Sequence, residues 1–150
     1  MYNHSLRVPF IMRGKGIAAG KQIASPIYFQ DIVPTTFESA GVPVGKDIEF
    51  TSVWPMLRGE KKASYDAAYG AYMNTQRMIS HDGWKLILYP KLNKLRLYHL
   101  AKDPLEMENR GAEASMESRK KALFKVLQQE QKRLGDPLDL TEAFPDLAAQ

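Results

Sequence analysis

The sequence contains no cysteine, and this absence excludes several kinds of site at once. The 150-residue chain can form no disulfide framework, no thiolate metal site and no cysteine nucleophile. It also lacks any run of the roughly 18 apolar residues that a membrane-spanning helix needs. Residues 1–10 show no apolar segment of the kind that a signal peptide carries. These absences predict a soluble protein with no membrane partner, and they do not indicate a compartment.

The excess of basic residues is small. Lys and Arg number 21 against 17 Asp and Glu, which gives a net charge of +4. Dense positive charge occurs at Lys61-Lys62 and at Arg119–Lys121, and neither stretch is interleaved with aromatic residues as a nucleic-acid-binding surface would be. Solvated surface is the simpler interpretation of both stretches, so we predict no nucleic-acid partner.

The most regular pattern is a set of hairpins between Thr75 and Leu100. Asp82-Gly83 lies between two apolar runs, which favours a tight turn because both residue types tolerate positive φ. A second turn is expected at residues 91–94. The preceding stretch Ala67–Met73 could add a fourth strand, with Gly70 as a weak point or a bulge. The sequence therefore predicts an antiparallel sheet of three to four strands at about residues 67–100.

A long amphipathic helix is expected after the sheet, at about residues 116–134. Its apolar residues recur on one stripe, and Gly135 follows as a natural stop. The last stretch, Asp136–Gln150, has little periodicity and is predicted to lie over the surface. Before the helix, Asp103 and Glu106 are spaced as the two partners of a capping box, which is a more probable use for them than catalysis.

The N-terminal part follows a different pattern. Leu6–Met12 is predicted to be a buried strand, with Pro9 restricting it to an edge position. A glycine-rich loop follows at residues 13–21, and a helix is expected at about residues 29–40. The rest, up to Lys62, is predicted to be irregular, with one short helical turn. This strand–loop–helix resembles one step of an α/β sheet, so its strand edge and the apolar face of its helix should be partly exposed.

The fold class that these patterns indicate is α+β, a small antiparallel sheet packed by a C-terminal helix and preceded by a strand–loop–helix. We expect two domains, residues 1–62 and 63–150. The three histidines, His4, His81 and His99, lack the spacing of a self-contained metal site, and no Gly-x-Ser-x-Gly elbow occurs. The residue patterns alone therefore predict no catalytic and no metal-binding residue.

Four stretches in order nevertheless resemble the sulfatase family. Residues 1–21 are similar to a sulfatase turn that leads into Arg-Val-Pro and a Gly-x-Gly segment. Residues 31–44 (DIVPTTFESAGVPV) resemble a sulfatase helix that starts with Asp-x-x-Pro-Thr. Residues 51–60 resemble the family's Ser-Leu-x-Pro-Leu-Leu-x-Gly segment. Residues 77–109 resemble its C-terminal sheet, which ends in Leu-Tyr-x-Leu-x-x-Asp-Pro-x-Glu-x-x-Asn. The resemblance covers roughly residues 1–135.

The resemblance implies a place in the alkaline-phosphatase-like superfamily. Such sulfatases cleave sulfate esters with a formylglycine, made from Cys or Ser in a Cys/Ser-x-Pro-x-Arg motif, and with a divalent metal that is usually calcium. This sequence contains no such motif. We therefore expect the C-terminal portion of a sulfatase, with residues 1–62 as a remnant of the α/β core. We expect it to be inactive alone, to hold no cofactor itself, and to have calcium in the complete protein.

The resemblance leaves His4 and Arg7 as the candidate substrate-binding residues, because they lie nearest the expected position of a sulfate-contacting lysine. Asn3 differs from the Glu of many relatives, which leaves the role of that turn open. For Arg7, packing against acidic neighbours remains an alternative. Two other functions stay open for the chain: a non-catalytic interaction module that completes a partner or self-associates, and part of a related phosphodiesterase or phosphonate hydrolase.

Overall fold

The computed structural model describes residues 1–149. The chain forms two compact units, which we describe separately. The first, here called the sheet unit, contains Met1–Val8 together with the chain from Ala67 onward. The second, the loop unit, is Pro9–Asp66. Residues 1–8 are thus far in sequence from the strands with which they cluster.

The sheet has four strands in the order β1-β2-β3-β4, and all neighbours are antiparallel. They are Ala67–Tyr72 (β1), Gln76–His81 (β2), Trp84–Tyr89 (β3) and Lys94–His99 (β4). The predicted sheet is confirmed, including its fourth strand. The bulge considered at Gly70 is absent, because Gly70 pairs regularly with Met78. A Cβ on Gly70 would lie only 3.2 Å from Met1 Sδ, so the missing side chain makes room for the N-terminal residue.

Both hairpin turns form where the sequence predicts them. Asp82 and Gly83 have φ values of 50° and 73°, the pair of positive angles that a type I′ turn needs. The β3–β4 connection is a 3₁₀ turn, Pro90–Leu92, and it ends at Asn93 with φ of 49°. Turn chemistry that is local in sequence therefore sets the register of β2, β3 and β4.

One face of the sheet carries the main core. Helix α4, Glu117–Arg133, covers this face and follows a 3₁₀ turn at Ala114–Met116. Leu86 and Leu88 of β3 are fully buried there. The helix contributes three buried residues, Leu123, Phe124 and Leu127. The predicted C-terminal helix is confirmed, and so is its packing on the sheet. Across residues 1–149, no helix combines the length and the apolar character that crossing a bilayer requires.

The cationic run on α4 is not simply a solvated face. Lys120 is only 8% exposed. Its ammonium donates to the carbonyl of Gly111 at 3.2 Å and lies 2.7 Å from a Glu117 carboxylate oxygen. Arg119 pairs with Asp82 at 3.2 Å. The prediction of a purely solvated run is therefore wrong for Lys120, because its long aliphatic stem packs inward while its charge finds polar partners.

The C-terminal stretch belongs to the core, which corrects the prediction that it lies over the surface. Leu140, Phe144 and Leu147 are buried in the same cluster as the α4 residues. Phe144 directly precedes a short helix, α5, Pro145–Ala148, and Leu147 lies within it. The spacing of these three residues is helical in period and was the available signal. Gln150, the end of the predicted tail, lies outside the described residues.

An ion pair between β2 and the α4–α5 connection closes one end of this core. Arg77 Nη2 donates to Asp136 Oδ1 at 2.9 Å, and the Arg77 Nε and the Tyr69 hydroxyl both donate to Asp136 Oδ2. The Arg77 and Asp136 side chains are 6% and 9% exposed. The Arg77 guanidinium, together with the Tyr69 hydroxyl, holds the pKa of Asp136 well below its ordinary value.

The second face of the sheet is also covered. Met78, Ile87 and Tyr98 form a smaller buried cluster there, and Met1 and Tyr2 pack against it. In the sequence of β3, apolar residues alternate with the mixed set Lys85, Ile87 and Tyr89, which predicts a sheet packed on one side only. The structure shows instead that β3 is buried on both sides, from Trp84 to Leu88.

The predicted strand at Leu6–Met12 is wrong. Residues Asn3–Leu6 form a single helical turn, α1, and residues 7–13 adopt no regular structure. Val8 is 59% exposed and Ile11 is 89% exposed. A strand exists only by pairing with a neighbour, and within residues 1–149 the one sheet is built from other segments. Apolar sequence without a pairing partner therefore does not suffice for a strand.

The loop unit contains little regular structure. Helix α2, Ile32–Ser39, follows a 3₁₀ turn at Phe29–Asp31, and a single turn, α3, spans Trp54–Leu57. Both the predicted helix and the predicted turn are confirmed. The side of α2 that is buried is not its most apolar side, because the buried residues are Pro34 and Thr35. Val33 and Phe37 remain 47% and 36% exposed, so the predicted exposure of the apolar face is confirmed.

Asp31 organises the interior of the loop unit. It is fully buried and accepts hydrogen bonds from the Tyr65 hydroxyl, from the Thr51 N–H at 3.1 Å and from the Tyr28 N–H at 2.8 Å. The Val53 N–H donates to Thr35 Oγ1 at 3.0 Å. The interior of the loop unit is thus held by hydrogen bonds to a few side chains, whereas the sheet unit is held by backbone pairing between strands.

We predict that Asp136→Asn destabilises the sheet unit by about 1.5–3 kcal/mol at neutral pH, the range for hydrogen bonds to charged groups. Because the folded-state pKa of Asp136 is depressed, this stabilisation is present above the unfolded-state pKa of about 3.9 and is lost as pH falls further. Urea unfolding followed by circular dichroism should therefore show the two proteins converging below about pH 4.

Glu113→Gln is the matched control, because Glu113 forms an exposed pair with Arg110 in the same unit. It should leave the unfolding midpoint unchanged. Equal midpoints for Asp136→Asn and the wild type at pH 7 would contradict a stabilising role for the pair.

We also predict that the loop unit opens more readily than the sheet. Amides of Phe37 and Ala40 in and after α2 should exchange at least about tenfold faster than those of Ile79 and Leu86, since short helices with exposed apolar faces open locally. Hydrogen exchange followed by NMR measures this difference. Equal protection in both sets would show that the two units unfold together.

Candidate functional site

The two residues that the sequence singles out lie on the N-terminal turn of the sheet unit. His4 is within α1 and Arg7 directly follows it, and both side chains are exposed. The His4 ring stacks on Tyr2, with ring centroids 5.6 Å apart and an interplanar angle of 18°. The structure thus brings both candidates onto one exposed turn.

A buried ion pair holds this turn against the sheet. Lys85 Nζ, on β3, lies 2.6 Å from Glu106 Oε1. Both groups also bond Asn3, which immediately precedes His4. The Asn3 N–H donates to Glu106 Oε2, and Lys85 Nζ donates to Asn3 Oδ1 at 2.6 Å. Three residues that are distant in sequence thus meet in one closed arrangement.

The ion pair is excluded from water. The side chains of Lys85 and Glu106 are 2% and 1% exposed. Burial lowers the pKa of Lys85, and the neighbouring Glu106 opposes this shift. Because each charge is costly to remove from water, the pair is stable only if both partners and their hydrogen bonds stay in place.

Glu106 does not act as the predicted capping partner. Asp103 does cap the backbone, since its carboxylate accepts from the N–H groups of Met107 and Glu108 at 3.0 and 2.9 Å. Glu106 instead adopts φ of 57° and directs its carboxylate to Lys85. The missed signal was Lys85 itself, a lone charge within the apolar run of β3, which required a buried acid.

The other histidines serve the structure. His81 ends β2 beside the predicted turn. His99 is half-buried and packs edge-on against Trp84, with ring centroids 4.4 Å apart. The guanidinium groups of Arg110 and Arg119 lie 5.6 and 5.5 Å from the Trp84 ring. These contacts place His99 and Trp84 in an aromatic and cationic cluster beside the β3–β4 pair.

The turn offers chemistry for binding an anion. An Arg guanidinium presents a planar fork of donors that matches the oxygens of a sulfate or carboxylate, and an imidazole adds one donor. Within residues 1–149, no three His, Asp or Glu side chains lie close enough together to hold a metal ion. We therefore assign no reaction step to a metal held by these described residues.

Comparisons with known proteins give a consistent result. The family described as N-sulphoglucosamine sulphohydrolase, C-terminal, matches residues 1–133. An N-acetylglucosamine-6-O-sulfatase of Bacteroides thetaiotaomicron is 30% identical over 149 residues, which cover 91% of this chain and 27% of that protein. Arylsulfatase K of Homo sapiens is 29% identical over 123 residues, which cover 73% of this chain and 23% of that protein.

A solved structure shares the fold. It is described as a complex with its substrate D-glucosamine-2-N,6-O-disulfate, and it superposes with a TM-score of 0.64 at 29% identity. The match covers 77% of this chain and 25% of that one. The chain therefore spans about a quarter of the length of each relative named here.

The family match covers most of the chain and includes the N-terminal turn, the sheet and all of α4. The resemblance to sulfatases that the sequence motifs indicated is confirmed. The chain belongs to the family of N-sulphoglucosamine sulphohydrolase C-terminal domains.

Proposed function

We propose that this chain is the C-terminal part of a sulfatase, and that it does not hydrolyse sulfate esters alone. One observation carries the proposal. The family match extends over residues 1–133, yet the sequence contains neither a cysteine nor a Ser-x-Pro-x-Arg motif from which a formylglycine could form. The chain aligns with only 27% of the first relative named above, which leaves the rest of such a protein to supply the nucleophile.

In this proposal the metal, like the nucleophile, is held by the part of the complete protein that lies outside this chain. We propose that calcium, bound elsewhere in the complete protein, neutralises charge on the sulfate oxygens. Residues 1–149 offer no group of ligands for it. The role of this chain is then to complete and shape the substrate pocket.

His4 and Arg7 carry that role. Their side chains are exposed on a turn that is anchored through Asn3, so they can contact a ligand without losing a buried partner. Arg7 would bind a sulfate or carboxylate oxygen pair, and His4, stacked on Tyr2, would contact the sugar or its anionic group. One relative is named as an N-acetylglucosamine-6-O-sulfatase, and the solved structure is described as bound to D-glucosamine-2-N,6-O-disulfate as its substrate. We propose the same class of substrate, a sulfated amino sugar, for the complete protein.

The exposed apolar face of the loop unit fits an incomplete structure. Phe29, Val33 and Phe37 recur at helical spacing, and Phe29 is 72% exposed. Such a surface is expected where another part of a protein packs. In the complete sulfatase we propose that the preceding part covers this face.

We predict that the purified chain does not hydrolyse an aryl sulfate in the presence of calcium, because it lacks the nucleophile. The measurement is release of the aryl alcohol against a buffer blank, with an aryl phosphonate ester as a parallel substrate. Sulfate ester turnover above the blank would contradict inactivity, and phosphonate turnover would favour the related hydrolase. A stable complex with a partner that lacks this half would favour the interaction module.

We further predict that, in a complete protein carrying this chain, Arg7→Met lowers kcat/KM for a sulfated amino sugar by about tenfold, or ~1.4 kcal/mol of transition-state binding. His4→Gln should act in the same direction. Arg133→Met is the matched control, because Arg133 lies at the exposed end of α4. If Arg7→Met and Arg133→Met gave the same kcat/KM, the substrate role of Arg7 would be wrong.

A further inference from the structure

The Lys85–Glu106 pair joins two of the motifs by which the chain resembles its family. Glu106 belongs to the Asp-Pro-x-Glu segment after the sheet, and Asn3 belongs to the N-terminal turn. The hydrogen bond between them spans 103 residues of sequence, and the bond from Lys85 to Asn3 spans 82. The two motifs are therefore in direct contact.

The arrangement is unfavourable by itself, which makes its presence informative. Two charges are almost completely removed from water, and Glu106 holds a left-handed backbone conformation that a residue with a side chain rarely adopts. Backbone strain of this kind persists only where the surrounding structure requires it. The local turn does not require the Glu106 carboxylate, because Asp103 caps it. What the carboxylate does contact is Lys85 and Asn3.

The N-terminal turn that carries Asn3, His4 and Arg7 has little stability of its own. Helix α1 has four residues and no buried side chain, and an isolated helical turn of that length does not form in water. Ahead of the turn, Met1 and Tyr2 pack on the sheet, where the Met1 ammonium donates to Gln76 Oε1 at 2.9 Å and the Tyr2 hydroxyl lies 3.3 Å from that of Tyr98. Within the turn, Asn3 makes two hydrogen bonds, one with Glu106 and one with Lys85. The bonds of Asn3 fix both its backbone and its side chain, so they fix the direction in which His4 and Arg7 leave the sheet.

We propose that Lys85 and Glu106 are positioning residues that lock the His4–Arg7 turn in its binding orientation without contacting a ligand. The part of this proposal that concerns a sulfate ester rests on the proposed function. The lock itself concerns only this chain and is tested on it directly.

The experiment compares single and double variants by amide hydrogen exchange and by the ring proton shifts of His4. Lys85→Met and Glu106→Met each leave one buried charge unpaired, so protection should fall in both the sheet and the turn. The double variant removes both charges and keeps similar shapes, so the sheet amides of Ile79 and Leu86 should recover to within about twofold of the wild type.

The turn should not recover in the double variant. The Asn3 amide should exchange at least about tenfold faster than in the wild type, since its acceptor is gone. The His4 ring shifts should move toward those of a free histidine as its stacking on Tyr2 is lost. A merely stabilising role for the pair would restore sheet and turn together.

The control is the double variant Arg110→Met with Glu113→Met, which removes an exposed ion pair of the same unit. It should leave Asn3 and His4 unchanged. The lock would be overturned by two results for the double variant Lys85→Met with Glu106→Met: an Asn3 amide protected to within twofold of the wild type, and unchanged His4 ring shifts. A released turn in that variant, combined with no effect of Arg7→Met on kcat/KM, would overturn the proposed substrate role of Arg7 and leave the lock intact.

Discussion

The structure of the sheet unit depends on covering strand β3 from both sides. Its residues from Trp84 to Leu88 are buried, so neither face of this central strand meets water. Helix α4 and the C-terminal stretch cover one face, and residues 1–2 cover the other. Residues 1–2 and residues 140–147 therefore return to the sheet from distant parts of the sequence and pack against its core.

Two buried ion pairs fix those returning segments. Arg77 with Asp136 binds the segment after α4, and Lys85 with Glu106 binds the N-terminal turn through Asn3. Apolar contact alone would allow a terminal segment to slide, whereas a buried charge has one favourable position. In a sulfatase C-terminal domain this gives the exposed His4–Arg7 turn a rigid base, while the loop unit keeps an apolar face open.

Local sequence was sufficient for the hairpins, for α4 and for α2. Asp82-Gly83 can adopt the angles of a tight turn, and an amphipathic helix shows its apolar stripe at a spacing of three or four residues. Both signals lie within a few neighbouring residues, so they can be detected without knowledge of the tertiary structure. The same reasoning correctly placed Asp103 as a backbone cap. His4 and Arg7 came from family motifs, because a single exposed turn has no periodicity to detect.

What only the tertiary structure decided are the partners across long sequence separations. Leu6–Met12 has the composition of a strand but no strand to pair with, and the C-terminal stretch gains its order from the core that it joins. Glu106 has the spacing of a cap, yet it binds Lys85 because a buried ammonium needs a carboxylate. Short-range preferences are encoded in neighbouring residues, whereas burial depends on which distant segments meet, and that is determined only when the whole chain folds.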